Sequence, residues 1–291
     1  MNDTDRFASA AAVLPEAFRQ AALARPQDVR ARTEELRLRA GYPPTLSADG
    51  REEPFAASPV TASDLERVLE LATRSSLHSA MESLREGFVT TRDGHRVGVC
   101  GTAALGGSGV LSLRRITSVS IRIARCFPGI AQPVLTMLQR TGGESGLLIV
   151  SPPGLGKTTL LRDLVRLLSD GGTRIALIDE RGELAGEGFD VGRHTDVLTG
   201  VPKAQAIPML LRAMSPQRIA MDEITAAEDV DAMERAVGCG AGLLATVHGA
   251  QLSDILCRPA LENVLRRAAI RQAVFIERQG GGRHYRVEAI R

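Results

Sequence analysis

The chain has 291 residues, with 36 Lys or Arg against 34 Asp or Glu, so its formal charge of +2 offers no large field for a polyanion. Hydrophobic residues make up 44% and charged residues 24%, which excludes the disordered class and predicts a buried core. Lys157 and Lys203 are the only lysines, every other basic residue being arginine, and one of the two stands in a glycine-rich turn. The length suits two modest domains. Cys100, Cys126, Cys239 and Cys257 form no C-x-x-C pair, so neither a zinc site nor a disulfide framework is signalled and a reducing cytoplasm is expected. The start, with Asp3 and Asp5, lacks the basic region of a signal peptide, and no apolar run approaches the roughly 18 residues of a membrane helix. Any membrane association is therefore expected to run through a partner.

In chain order, residues 8–24 read as an alanine-rich helix that ends before Pro26, and 35–41 alternate at period two as a strand. Thr61 or Ser63 suits the cap of a helix over 64–73, whose Leu65, Val68, Leu69 and Ala72 fall at helical spacing, and a second helix is predicted over 77–85. Residues 88–91 and 96–99 flank Arg92-Asp-Gly-His95, an Asp-Gly hairpin signal; 105–109 reads as a loop and 116–123 as another strand. A boundary follows near Cys126-Phe-Pro-Gly129. The expected organisation is an α+β N-terminal domain over 1–128, a linker helix and Gly-rich connection over 129–145, and a second domain over 146–291. In the second domain short apolar runs (147–150, 174–178, 218–221, 243–247) alternate with helical patterns (157–168, 202–214, 226–237), which predicts a parallel sheet between helices, and 273–289 reads as a closing hairpin.

Ser151-Pro-Pro-Gly-Leu-Gly-Lys-Thr158 lies between an apolar strand and a helix, the context a phosphate loop requires, with Ser151 in place of the first glycine. In such a loop backbone N–H groups and the helix N-terminus face the phosphates. Residues Ser151, Pro152, Pro153, Gly154, Leu155, Gly156, Lys157, Thr158 and Thr159 are the predicted nucleotide cradle. Lys157 neutralises the phosphate oxygens and Thr158 presents its hydroxyl to Mg²⁺.

Arg218-Ile-Ala-Met-Asp-Glu223 is an apolar strand ending in two carboxylates. Asp222 suits the metal, and Glu223, facing the other way, suits the base that polarises the attacking water. Two more strands end in polar groups, Asp179-Glu-Arg-Gly-Glu183 and His248, and ligands of open α/β sheets sit at carboxyl strand ends, so both clusters are expected at the nucleotide. Thr246 and His248 are alternative γ-phosphate sensors.

These residues resemble the sporulation stage III AA family, relatives of type II and type IV secretion ATPases. The resemblance rests on 151–164, Ile178-Asp-Glu-Arg-Gly-Glu183, Met214-Ser-Pro and Asp222-Glu223, and it extends upstream to 86–98 and 118–125. It implies a RecA-like P-loop ATPase core with a smaller α+β N-terminal domain that closes over ATP and Mg²⁺. It places Asp179, Glu180 and Glu183 in an acidic box, with Asp179 at the metal and the two glutamates in catalysis, and 236–248 in a histidine box. It also implies a homo-oligomeric, hexameric ring that works with an integral membrane component of a mother-cell-to-forespore channel. Many secretion ATPases carry Gly-Glu where this chain has Asp222-Glu223.

Between Gly94 and Gly143 there is no acidic residue but there are six arginines, Arg96, Arg114, Arg115, Arg122, Arg125 and Arg140. Arg122 is one candidate to reach a neighbouring subunit's γ-phosphate, because the guanidinium fork pairs with phosphate oxygens bidentately. A nucleic-acid groove is the alternative, as a translocase on the same core, but only Phe88 and Phe127 are nearby for stacking, so nucleic acid is not favoured. A ring scaffold that binds ATP without hydrolysis is a third reading, against which Glu223 argues.

Overall fold

The computed structural model describes residues 3–73, 84, 87–106, 109–140, 146–224, 227–258, 261–262, 265, 270–279 and 282–290. The helix predicted over 77–85, except Leu84, and most of the Gly-rich connection at 142–146 lie outside these residues. Two compact units emerge: Met1–Cys126 with Gly186–Phe189, and Phe127–Ala185 with Asp190–Arg291. The short segment 186–189 is thus part of the first unit although the chain on both sides of it belongs to the second.

In the first unit, α1 (Asp3–Ala11), α2 (Glu16–Leu23) and α3 (Gln27–Arg32) precede β1 (Thr33–Arg39), β2 (Thr45–Ala48) and β3 (Arg51–Pro54). Then come α4 (Ala62–Ala72), β4 (Phe88–Thr90), β5 (Arg96–Gly106) and β6 (Gly109–Arg122). The single helix expected over 8–24 is two, because Pro15, which has no N–H to donate and crowds the preceding turn, stands at the N-cap of α2. The strands form an antiparallel sheet in the order β3-β2-β1-β6-β5-β4. The hairpin at Asp93-Gly94 joins β4 to β5, and β5 and β6 run into the stretch expected to be a loop at 105–109. A second hairpin, β2 to β3, turns at Asp49 and Gly50, both at positive φ. Its own Asp-Gly signal is in the sequence, but the charged Arg51-Glu-Glu run after it lacks apolar alternation. Of the two capping candidates for α4 the structure selects Thr61, whose hydroxyl accepts from the Asp64 N–H while the Asp64 carboxylate accepts from the Thr61 N–H.

One wholly buried arginine ties this unit together. Arg6 of α1 donates to the carbonyls of Ala124 (2.7 Å), Asp93 (2.5 Å) and Glu187 (3.3 Å), and its guanidinium lies 4.1 Å from the Phe189 ring centroid. Beside it His95, also wholly buried, accepts at Nδ1 from the Ala124 N–H and faces the Ser9 hydroxyl at 2.7 Å with Nε2. Segment 186–189 packs against the β4–β5 turn so closely that a Cβ on Gly186 would stand 2.6 Å from the Gly94 nitrogen, a position only glycine fills.

The second unit contains α5 (Gln132–Arg140), β7 (Gly146–Ser151), α6 (Lys157–Asp170), β8 (Ile175–Asp179) and β9 (Thr195–Thr199). It continues with α7 (Lys203–Met214), β10 (Arg218–Met221), α8 (Ala227–Gly238), β11 (Gly242–His248), α9 (Leu252–Leu256), β12 (Ile270–Gln279) and β13 (Gly282–Ala289). The sheet order is β13-β12-β7-β11-β10-β8-β9, with parallel pairing throughout except for the closing hairpin β12–β13. Alternate residues of each central strand feed two separate cores. Leu148, Val150, Ile178, Ile219, Met221 and Val247 join one, and Leu147, Ile149, Leu177, Ala220 and Leu244 the other. Burial on both faces is why these strands read as unbroken apolar runs. Among the described residues no helix is long and apolar enough to cross a membrane.

Candidate active site

The site grows from the carboxyl edge of β7, β11 and β10, adjacent strands whose ends carry Ser151, His248 and Asp222. Register sets His248 directly beside Ser151. The chain leaves β7 through Pro152-Pro-Gly-Leu-Gly156 and enters α6 at Lys157, with Gly154 and Gly156 at φ +78° and +94°, where a side chain would be strained. Gly156 is also the N-cap of α6, so the first N–H groups of that helix open onto the loop.

Lys157 is buried, and its ammonium donates to the Ser151 carbonyl at 3.2 Å and to His248 Nδ1 at 2.9 Å. Burial lowers its pKa, against the attraction of Asp222 and Glu223. An ammonium has only donors, so His248 Nδ1 is an acceptor and the ring proton sits on Nε2, which faces Glu223 Oε1 at 3.2 Å. On the far side of that carboxylate, Arg181 Nη1 lies 3.8 Å from Oε2. A continuous polar line therefore runs from Lys157 through His248 and Glu223 to Arg181.

The second carboxylate faces elsewhere. Thr158 donates its hydroxyl to Asp222 Oδ2 at 2.6 Å, and Thr246 donates to Oδ1. The Thr246 oxygen in turn accepts from the Glu223 N–H at 2.9 Å. Thr246 is wholly buried and shapes the turn after β10, so of the two sensor candidates only His248 opens into the site. Glu223 itself has φ +41°, an uncommon backbone state for a residue with a Cβ and one that clusters at functional sites. The hydroxyl of Thr158 and the carboxylate of Asp222 are hard oxygen donors suited to Mg²⁺, which commonly takes one or two protein ligands and completes its shell with phosphates and water. Among the described residues no group of three His, Cys, Asp or Glu side chains is placed to hold a metal.

The acidic box divides. Asp179, expected at the metal, instead builds the loop that follows β8: its buried carboxylate accepts from the N–H groups of Glu183 (2.9 Å), Leu184 (3.0 Å) and Ala185 (2.8 Å). Burial raises its pKa while the three N–H groups pull it down. Arg162 of α6 donates to the carbonyls of Leu184 and Glu183 in the same loop. Glu180 forms an ion pair with Lys203, a buried lysine at the start of α7 whose part was not legible in the sequence. Arg122 belongs to the other unit, exposed on β6 between Glu35 of β1 and Arg96 of β5. Arg181 sits inside Asp-Glu-Arg-Gly-Glu, and spacing alone does not say toward which strand end it turns.

A parallel sheet with a phosphate loop after one strand and carboxylates at the end of another is the RecA-like P-loop NTPase arrangement. The fold has the same class of relatives. It is similar to the Legionella pneumophila ATPase DotB (TM-score 0.63, 16% identity, 88% of this chain and 76% of that one). It is also similar to the pilus retraction motor PilT, whose structure holds ADP (TM-score 0.60, 19% identity, 89% and 80%).

Residues 6–290 match the sporulation stage III protein AA family, and the chain belongs to that family. Its sequence is 36% identical over 281 residues to stage III sporulation protein AA of Bacillus subtilis strain 168, covering 93% of this chain and 91% of that protein.

Proposed function

We propose that the protein is a Mg²⁺-dependent ATP hydrolase that works as an oligomeric motor in sporulation. The observation that carries the reading is the 2.6 Å contact between Thr158, on the phosphate-loop helix, and Asp222, at the end of β10, with Glu223 next in the chain. Such a contact joins the two halves that phosphoanhydride hydrolysis needs.

The loop N–H groups from Gly154 onward and the Lys157 ammonium bind the phosphates. Mg²⁺ held by Thr158 and Asp222 would offset charge on the phosphate oxygens. Glu223 orients a water and takes its proton as the oxygen attacks the γ-phosphorus, and the bond to the β-phosphate oxygen breaks to give ADP and phosphate. His248, proton on Nε2 in the free site, holds Glu223 until nucleotide draws Lys157 away. Glu180, kept in place by Lys203, and Glu183 complete the acidic rim of the site.

The family and the DotB and PilT likenesses support a secretion-type motor assembled as a ring, a hexamer in this reading. It energises or assembles a mother-cell-to-forespore channel and meets the membrane through an integral membrane partner. Arg122 acts in trans on the neighbouring subunit's nucleotide.

Phosphate release by the purified chain with ATP and Mg²⁺ tests the reading. Turnover in the wild type, none in Lys157→Ala, and nucleotide binding without turnover in Glu223→Gln is the expected pattern. Wild-type turnover in Glu223→Gln would remove Glu223 as the base.

A further inference from the structure

We propose that Arg283, on the closing hairpin, grips the α-phosphate of the nucleotide from within the same chain, an assignment that rests on the nucleotide reading of the phosphate loop. The sheet order sets the direction. His248 on β11 and Asp222 and Glu223 after β10 lie to one side of β7, and the hairpin β12–β13 lies to the other. A phosphate chain held by the loop after β7, with its γ end at the carboxylates, therefore leaves the loop toward the hairpin.

Arg283 waits there. Its guanidinium closes on the loop so tightly that a Cβ on Gly156 would stand 3.1 Å from Nη2 and 3.2 Å from Cζ. The Phe127 ring, 37% exposed, lies 5.7 Å away from the guanidinium carbon and steadies its plane. Among the described residues no carboxylate lies within ion-pair distance of Arg283. Three places along the same strand, Arg286 is paired with both Glu277 and Glu288.

The local charge is one-sided as well. The first turn of α6 holds no acidic residue, so the helix N-terminus, the buried Lys157 ammonium and the Arg283 guanidinium meet around one loop. Like charges brought together in this way repel one another until an anion binds between them. Arginine suits the task because its fork takes two oxygens of one phosphate.

Equilibrium binding of ADP and of ATP with Mg²⁺ to the full chain decides the point. In Arg283→Gln both affinities are expected to fall about tenfold and by the same factor, since ADP and ATP share the α-phosphate. Arg283→Lys should recover part of the loss, keeping the charge without the fork. Unchanged ADP affinity in Arg283→Gln would overturn the assignment, and so would a loss confined to ATP, which would put Arg283 at the γ end. A wild-type chain that binds neither nucleotide would instead overturn the reading of the loop itself. Arg283 is exposed, so the Gln variant should keep the wild-type thermal transition, checked by circular dichroism.

Discussion

His248 Nδ1 lies 2.9 Å from the Lys157 ammonium. The contact joins the residue proposed to meet phosphate to the candidate base, because the other nitrogen of the same ring faces Glu223 at 3.2 Å. His248→Ala should therefore leave Lys157 free to reach nucleotide while Glu223 loses its neighbour. Turnover is expected to fall about a hundredfold with nucleotide affinity unchanged or slightly higher. Steady-state phosphate release beside equilibrium ADP binding separates the two effects; a fall in affinity equal to the fall in turnover would make His248 a binding residue only.

Lys203 is the second of two lysines in the chain, and its buried ammonium meets Glu180. Lys203→Met leaves that carboxylate without its cation. Turnover should drop roughly tenfold with little change in ADP affinity, since the pair touches neither the phosphate loop nor its helix. Equal losses in binding and turnover would contradict a positioning role.

Arg6→Met removes the donor to the carbonyls of Ala124, Asp93 and Glu187. A loss of about 2–4 kcal/mol in unfolding free energy is expected, read from urea denaturation. Amide exchange gives a second readout: the Glu187 N–H, which donates to the Arg92 carbonyl at 2.7 Å, should lose protection in the variant because segment 186–189 loses its anchor.

The His95 imidazole is held down to about 3, first by burial and then by the Arg6 charge. The unfolded chain protonates near the ordinary value of about 6.5, so between those limits the unfolded state binds the extra proton and stability falls as pH falls. The contribution is fully present above pH 6.5 and lost progressively down to about 3, with a ceiling of roughly 4–5 kcal/mol. His95→Gln should flatten this part of the pH–stability curve. An unaltered slope in urea titrations between pH 6 and 4 would show that other groups set it.

The strand, turn and helix around 151–158 and the strand end at Asp222-Glu223 are legible in the chain because each is a contiguous run whose local structure depends on neighbours a few positions away. The doubly buried strands of the second unit were readable for the same reason, as short apolar runs between helical patterns. Residue identity and local spacing carry that much. The rest depends on contacts across long stretches of chain. Asp179 and Asp222 both end apolar strands, yet one carboxylate turns back onto the N–H groups of 183–185 and the other meets Thr158, a choice made by how each following loop folds. Arg6 reaches acceptors 87, 118 and 181 residues away, and Arg283 reaches a loop formed more than a hundred positions earlier in the chain. A long flexible side chain has no periodicity that betrays its target, so the partners of these arginines are set by packing, where burial and the need to satisfy every polar group leave one arrangement.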